Sequence, residues 1–176
     1  MTDNCVKRIQ ERQSIRRYSS EPIPDNDIEE ILATGFSAPS AGNRQPWRVV
    51  EIRRQESKDR LASAAGGQSF LAKAPIVLVI CAVPEESGAR YGERGLALYA
   101  LQDTAALTQN LLLAIHLLGY ASCWIGAFDE KEVVDILNIP QGIRPIAIIP
   151  VGKQDGKSPS KPSRRGRHET VVSESF

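Results

Sequence analysis

A mixed α/β fold of the α+β kind is what this sequence predicts, and three observations carry the prediction. Residues 75–81 and 145–151 are apolar runs with no polar residue alternating, the pattern of strands covered on both faces. Amphipathic helical stretches surround them in irregular order, not in repeated strand–helix units. The chain has 176 residues, 41% of them apolar, which is enough for one core and short for two enzymatic domains. A single domain over 1–176 is therefore expected, with 153–176 as a C-terminal arm.

Residues 4–12 read as a short helix carrying Val6 and Ile9 among charges. The next helix spans 25–36: Pro24 ends the extended piece before it, and Asp25 and Asp27 put negative charge on the first turn. Ile28, Ile31, Leu32 and Phe36 share one face. Residues 37–43 are small or turn-forming and make a loop. A strand follows at 47–52, with Trp47 assigned to the core, then a charged helix over 57–65 and a break at Gly66-Gly67. After the 75–81 strand only a short stretch precedes the longest helix, 92–119, whose second half is apolar nearly all round and so belongs at the centre. The apolar run 111–128 is interrupted by His116, Gly119 and Ser122 before it reaches a membrane span of about 20 residues, so a buried helix and a turn are expected there. A short helix at 130–137 precedes Pro140, the 145–151 strand follows, and residues 152–167 are rich in Ser, Pro, Lys and Arg.

Charge narrows the partners. Twenty-two lysines and arginines face 21 aspartates and glutamates, so the overall field favours neither nucleic acid nor a membrane surface. The opening Met1-Thr2-Asp3-Asn4-Cys5 has no basic patch followed by an apolar run, and a cytoplasmic protein is expected. Cys5, Cys81 and Cys123 are odd in number, far apart and without metal-ligand spacing, which argues against a disulfide framework and a zinc site. Cys81 and Cys123 are expected to be buried as small hydrophobes.

Side-chain catalytic constellations are missing. There is no G-x-S-x-G, H-E-x-x-H, G-x-G-x-x-G or P-loop pattern. His116 lies within an apolar helix and reads as packed, and His168 sits in a charged tail. If the chain is an enzyme, a bound cofactor carries the reaction.

Three segments are candidates for holding such a cofactor: Arg12-Gln13-Ser14-Ile15-Arg16-Arg17-Tyr18, the stretch from Ser37 through Pro39-Ser40-Ala41-Gly42-Asn43 to Trp47, and Gly119 through Trp124-Ile125-Gly126 to Phe128. In an extended backbone Arg12, Ser14 and Arg16 face one way and offer the fixed donors a phosphate needs. Taken alone, each has a plain alternative: a solvated basic turn, a helix-to-strand connection and a buried strand. Together, in this order and with the closing run 139–152, they resemble the FMN-dependent nitroreductase family along essentially the whole chain.

The resemblance implies a three-layer fold with a central, mostly antiparallel sheet flanked by helices, assembled as a homodimer with shared FMN sites. It implies that Arg12, Gln13, Ser14 and Arg16 hold the phosphate, ribityl chain and ring edge of FMN. Pro39, Ser40, Ala41 and Asn43 would reach the FMN held by the other subunit. Trp124, Ile125 and Gly126 would run along the isoalloxazine, with the Gly126 N–H at flavin N5. Arg164 or Arg165 would return to the phosphate; the register leaves open which. Gln68 and Tyr91 are expected to line the pocket. The implied activity passes hydride from NADH or NADPH through FMN to a small-molecule acceptor, a nitroaromatic, a quinone or a similar electrophile, in a ping-pong cycle. The alternatives are a flavin carrier or sensor, a flavin-fragmenting or dehalogenating relative, and an interaction domain that uses its basic arm.

Overall fold

The computed structural model describes residues 2–175. Four strands form one antiparallel sheet in the order β1-β2-β4-β3, with β1 at Trp47–Ile52, β2 at Ile76–Ala82, β3 at Ala121–Ser122 and β4 at Arg144–Gly152. β2 is buried along its whole length, as a run without polar alternation requires. Its alternate residues serve opposite layers. Val77, Val79 and Cys81 join a core with Leu61, Leu71, Val133 and Ile148. Ile76, Leu78 and Ile80 join a second core with Ile28, Ile31, Leu107, Leu111 and Ile149.

Helices α1 (Thr2–Glu11) and α2 (Asp25–Phe36) precede the sheet, and α3 (Gln55–Ala64) and α4 (Phe70–Lys73) lie between β1 and β2. α2 begins after Pro24 with Asp25 and Asp27 in its first turn, and its Ile28 and Ile31 are fully enclosed. Phe36, expected on that buried face, is instead 46% exposed, because Gly35 takes the inward position of the last turn, against Leu111 and Leu107. α7 (Glu130–Leu137) is set by local chemistry at both ends. Asp129 accepts the Glu132 N–H at 2.9 Å, and Asn138 takes a left-handed conformation that ends it.

The expected single helix over 92–119 is corrected. A separate helix α5 (Pro84–Arg94) fills what was read as a short stretch, and Gly92 breaks it with φ +57° and ψ −142°. One π turn (Gly95–Tyr99) leads into α6 (Ala100–Leu117). Pro84 at the first helical position, with Glu85 and Glu86 behind it, is a start signal the sequence did contain. α6 is the central helix: Leu107, Leu111 and Ile115 are fully buried. Its first half carries the polar Asp103, Thr104 and Thr108 inward, and each hydrogen-bonds a carbonyl or an N–H. α8 (Arg167–Thr170), a single turn in the arm, was also unforeseen.

Cys81 and Cys123 are buried and Cys5 is exposed; burial pushes the Cys81 thiol up to about 11, so it packs as an apolar group. Among the described residues no helix is long and apolar enough to cross a membrane.

The α5–π junction depends on Gly95. A Cβ there would lie 2.4 Å from the backbone oxygen of Ser87 and 2.6 Å from its carbonyl carbon, and backbone cannot rotate aside. Gly95→Ala is expected to lower stability by about 1–3 kcal/mol, as overpacked sites do, read as a lower urea midpoint with an unchanged slope. A midpoint equal to the parent's would mean that α5 and α6 are not held at this distance.

Candidate functional site: a basic cleft beside the end of the sheet

The site grows from the way residues 12–19 are stitched to the sheet. The Ile15 N–H donates to the Ser122 carbonyl at 2.9 Å, the Ser19 N–H to Lys153 at 2.9 Å, and Asp155 returns a bond to Arg17 at 3.1 Å. Ile15 and Tyr18 are buried between these bonds, and the Tyr18 hydroxyl donates to the Ile15 carbonyl. Burial first, then the nearby Cys123, push the Tyr18 phenol upward, so it remains a protonated donor. With Ile15 and Tyr18 turned inward, the polar residues between and before them are turned out.

They face a cleft of about 380 Å³ lined by Arg12, Gln13, Ser14, Arg16, Lys161 and Arg164, among others. A neighbouring cleft of about 350 Å³ shares Arg12 and Gln13 and reaches His116, Tyr120 and Gln154. These are volumes suited to a small molecule. Arg12, Arg16, Lys161 and Arg164 form no ion pair among the described residues. Four cations converging without carboxylates favour an anion. The Gln13 Oε1 atom is buried without a hydrogen-bond partner, which a ligand donor would satisfy. Arg164 lines the cleft and Arg165 does not. His116 has its Nε2 2.8 Å from the Arg8 carbonyl oxygen, tying α6 to α1.

The third segment owes its shape to a proline. Ile125 and Ile148 exchange both backbone hydrogen bonds at 2.9 Å, and Ser122 pairs with Val151. The hydrogen-bonded pair that should come between them is Cys123 with Pro150, which has no N–H to give. Pairing therefore lapses over Cys123 and Trp124, and Trp124 stands 38% exposed. Ile125 is pinned, and the exposed Gly126 N–H donates to nothing among the described residues. Gln68 lies beside this strip: its Nε2 donates to Ala65 at 2.8 Å and reaches the Ala127 carbonyl at 3.4 Å.

The loop from Pro39 to Asn43 lies elsewhere in the chain and lines neither cleft. The Ala41 N–H donates to Asp103 at 3.1 Å, and the Ser40 hydroxyl accepts from the Gln45 N–H at 3.0 Å. Gly42, Asn43 and Gln45 all have φ between +50° and +56°. Left-handed backbone at two non-glycine residues is strain that such a bracing must hold. Pro39 and Asn43 are exposed.

Asp103 is 8% exposed, and burial raises its carboxyl above the ordinary 3.8, opposed by the bond from Ala41. The folded chain thus keeps a proton that the unfolded chain loses first. Its contribution to stability is present below 3.8 and is lost as pH rises through the raised folded value. In Asp103→Asn the neutral form is permanent. Urea unfolding across a pH series should show the parent losing stability relative to this variant over that window and running parallel outside it. Curves parallel throughout would remove burial as the cause.

Among the described residues no group of three or more His, Cys, Asp or Glu could hold a metal ion. The cations, Ser14 and Gln13 converge on one cleft, while Gln68, Trp124, Ile125 and Gly126 line neither cleft and form a separate strip with a free N–H. That set fits FMN: cations and a hydroxyl for its phosphate, the unpartnered Gln13 oxygen for a donor, and Gly126 for a ring nitrogen.

Comparison with known proteins agrees. The profile of the Nitroreductase family matches residues 9–69 and 62–153. A provisionally named NADH dehydrogenase/NAD(P)H nitroreductase of Archaeoglobus fulgidus is 36% identical over 154 residues, 85% of each chain. An FMN reductase [NAD(P)H] of Bacillus subtilis is 26% identical, covering 91% of this chain and 70% of its own. Among solved structures, nitroreductase A of Vibrio parahaemolyticus superposes with a TM-score of 0.88 at 26% identity, over 98% of this chain and 76% of its own. The NADPH:FMN oxidoreductase of Vibrio harveyi, solved with NAD+, gives 0.89 at 25% identity, over 98% and 78%. With the fold matched over nearly its full length and the family profile over most of it, this chain is a member of the nitroreductase family.

Proposed function

We propose that the protein is an FMN-dependent oxidoreductase that takes hydride from NADH or NADPH and delivers it to a small electrophilic acceptor such as a nitroaromatic or a quinone. The observation that carries this reading is the convergence of Arg12, Gln13, Ser14, Arg16 and Arg164 on one cleft. The relatives named for FMN reduction and for NAD(P)H use support it. When bound, FMN supplies the hydride exchange at its N5 atom, and no side chain need act as an essential acid.

The chain's own residues bind and orient. Arg12, Arg16 and Arg164 neutralise the phosphate with charge-assisted bonds, and Ser14 adds a hydroxyl. Gln13 meets a ribityl or ring-edge donor through its buried oxygen. Trp124 and the Ile125 backbone would lie along the ring and the Gly126 N–H would serve N5, while Gln68 steadies that strip from Ala65 and Ala127. Arg165 stays outside. The pinned Ile125 keeps the donor in place before reaction, the condition for stabilising charge on the reduced ring.

The working unit in this reading is a homodimer of single-domain chains, each with its arm from residue 153 onward. Pro39, Ser40, Ala41 and Asn43 line neither of the two clefts described above, and Asn43, exposed, is held with Gly42 in left-handed backbone, which suits a loop that completes a partner's site. Val6, Ile9 and Phe36 are exposed apolar groups (57%, 43% and 46%) that a twofold partner would cover.

Purified protein should be yellow or take up FMN, and anaerobic NADH or NADPH should bleach it. A protein that FMN cannot stain would end the proposal, and a stained protein that neither nucleotide bleaches would leave a carrier. Arg16→Ala and Ser14→Ala should each weaken FMN binding, the former by roughly 10- to 100-fold from the loss of a charge-assisted bond, while circular dichroism stays unchanged. Identical titration curves for both would remove the phosphate assignment. For the shared site, mixing Asn43→Ala protein with Arg16→Ala protein should regain activity as heterodimers with one intact site form. No recovery after verified exchange would place Asn43 outside the partner's site.

A further inference from the structure

α5 and the π turn after it carry a cluster that the reading above does not use. The Arg90 guanidinium carbon lies 5.5 Å from the centre of the Tyr91 ring, and that of Arg94 lies 5.3 Å from Tyr99. The two rings meet edge to face at 5.2 Å, and Arg94 Nε donates to the Tyr99 hydroxyl at 2.9 Å. Neither arginine forms an ion pair among the described residues. Glu86, the acid one turn before Arg90, is engaged by Arg48 at 2.6 Å. Each guanidinium rests on its own tyrosine face, and the contact between the two rings joins the pairs into one cluster. The break at Gly92 and the π turn, a local distortion common at functional sites, bring Tyr99 back against Tyr91.

The position of the cluster is as telling as its charge. A Cβ on Gly42 would lie 2.5 Å from the Tyr91 hydroxyl and 3.1 Å from Arg90 Nη1. Tyr91 and Arg90 therefore rest on the loop that carries Ser40 and Asn43. If that loop approaches the partner's flavin, whatever lies on the flavin beside Asn43 has these guanidinium groups at its flank. Both substrates of the cycle occupy that place in turn, and only the hydride donor brings phosphate groups. Planar forks without carboxylate partners suit phosphate oxygens.

We propose that Arg90 and Arg94, presented on Tyr91 and Tyr99, determine the binding of the reduced pyridine dinucleotide by holding its phosphates across the subunit boundary from the FMN it reduces. The inference rests on the shared FMN site proposed above. The phosphate is either the 2′-phosphate peculiar to NADPH or the pyrophosphate common to both nucleotides, and the experiment separates them.

FMN-loaded parent and Arg90→Ala/Arg94→Ala proteins would be reduced anaerobically with NADPH, with NADH and with an N-alkyl dihydronicotinamide that has no phosphate. The double variant should show an apparent Kd at least about tenfold higher for a phosphate-bearing donor, the scale of a lost charge-assisted bond. Its FMN content and its rate with the phosphate-free donor should match the parent's. A rise confined to NADPH assigns the 2′-phosphate, and an equal rise for NADH assigns the pyrophosphate. Calorimetric titration of the oxidised proteins with NADP+ and NAD+ should give the same ranking without turnover, and Arg90→Lys/Arg94→Lys should recover only part of the affinity. Unchanged affinity for both nucleotides, or an equal loss with the phosphate-free donor, would overturn the assignment. A parent flavin that neither nucleotide reduces would instead refute the oxidoreductase reading, and this inference with it, before any variant is compared.

Discussion

The pairing of β2 with β4 is the constraint on which the rest of the molecule depends. Both strands are sealed between two cores, so every backbone N–H and carbonyl in them must find its partner in the sheet. Where β4 cannot comply, the departure shapes the site. The register shifts by one residue beside Pro145, as a proline in an inner strand requires. At Pro150 the missing N–H releases Cys123 and Trp124 from the ladder while Ile125 remains fixed two residues on. A short stretch of backbone is thereby turned outward at a defined point on a rigid sheet, which is how a peptide N–H can be aimed at a ligand without a flexible loop to hold it.

The same sheet sets the charge pattern. Residues 12–19 are bonded to Ser122 on one side and to 153–155 on the other, and inward Ile15 and Tyr18 leave Arg12, Ser14 and Arg16 nowhere to go but the cleft. The arm then returns Lys161 and Arg164 to the same place. Concentrating unpaired cations is unfavourable for an isolated chain whose net charge is only +1. An anion entering the cleft would relieve that repulsion, so the folded structure is preorganised for one. Loop 39–43 is braced in a similar way: its left-handed Gly42 and Asn43 are flanked by the Asp103 bond to Ala41 and by Tyr91, and it lines neither cleft.

Much of this was legible in the chain because it follows from local rules. The bounds of α2, β1 and α7 come from Pro24, Pro46 and Pro140 with their flanking acids and apolar runs, and β2 declares itself by unbroken hydrophobicity. The stretch 12–16, with two arginines and the Ser14 hydroxyl, was visible as a donor strip from the two-residue period of extended backbone. Other elements were not visible, for reasons that differ. α5 has a start signal at Pro84, but Gly88, Gly92 and Gly95 obscure it and invite a single long helix that begins later. β3 lies in a segment that does read as a buried strand, but its two-residue length was not visible, since it is set by pairing with β4 that lapses opposite Pro150. α4 and α8 are single turns, too short for periodicity to register.

By itself, then, the sequence determined which residues are apolar, which segments are stiff and which donors exist, since these are properties of neighbours along the chain. Only the tertiary structure decided that Arg164 and not Arg165 faces the cleft, that Gln68 lies against Ala127, that Phe36 is left uncovered and that Arg90 meets Gly42. Each of those outcomes depends on contacts between residues far apart in the chain, and their geometry is set by sheet register and helix packing, which no local pattern encodes.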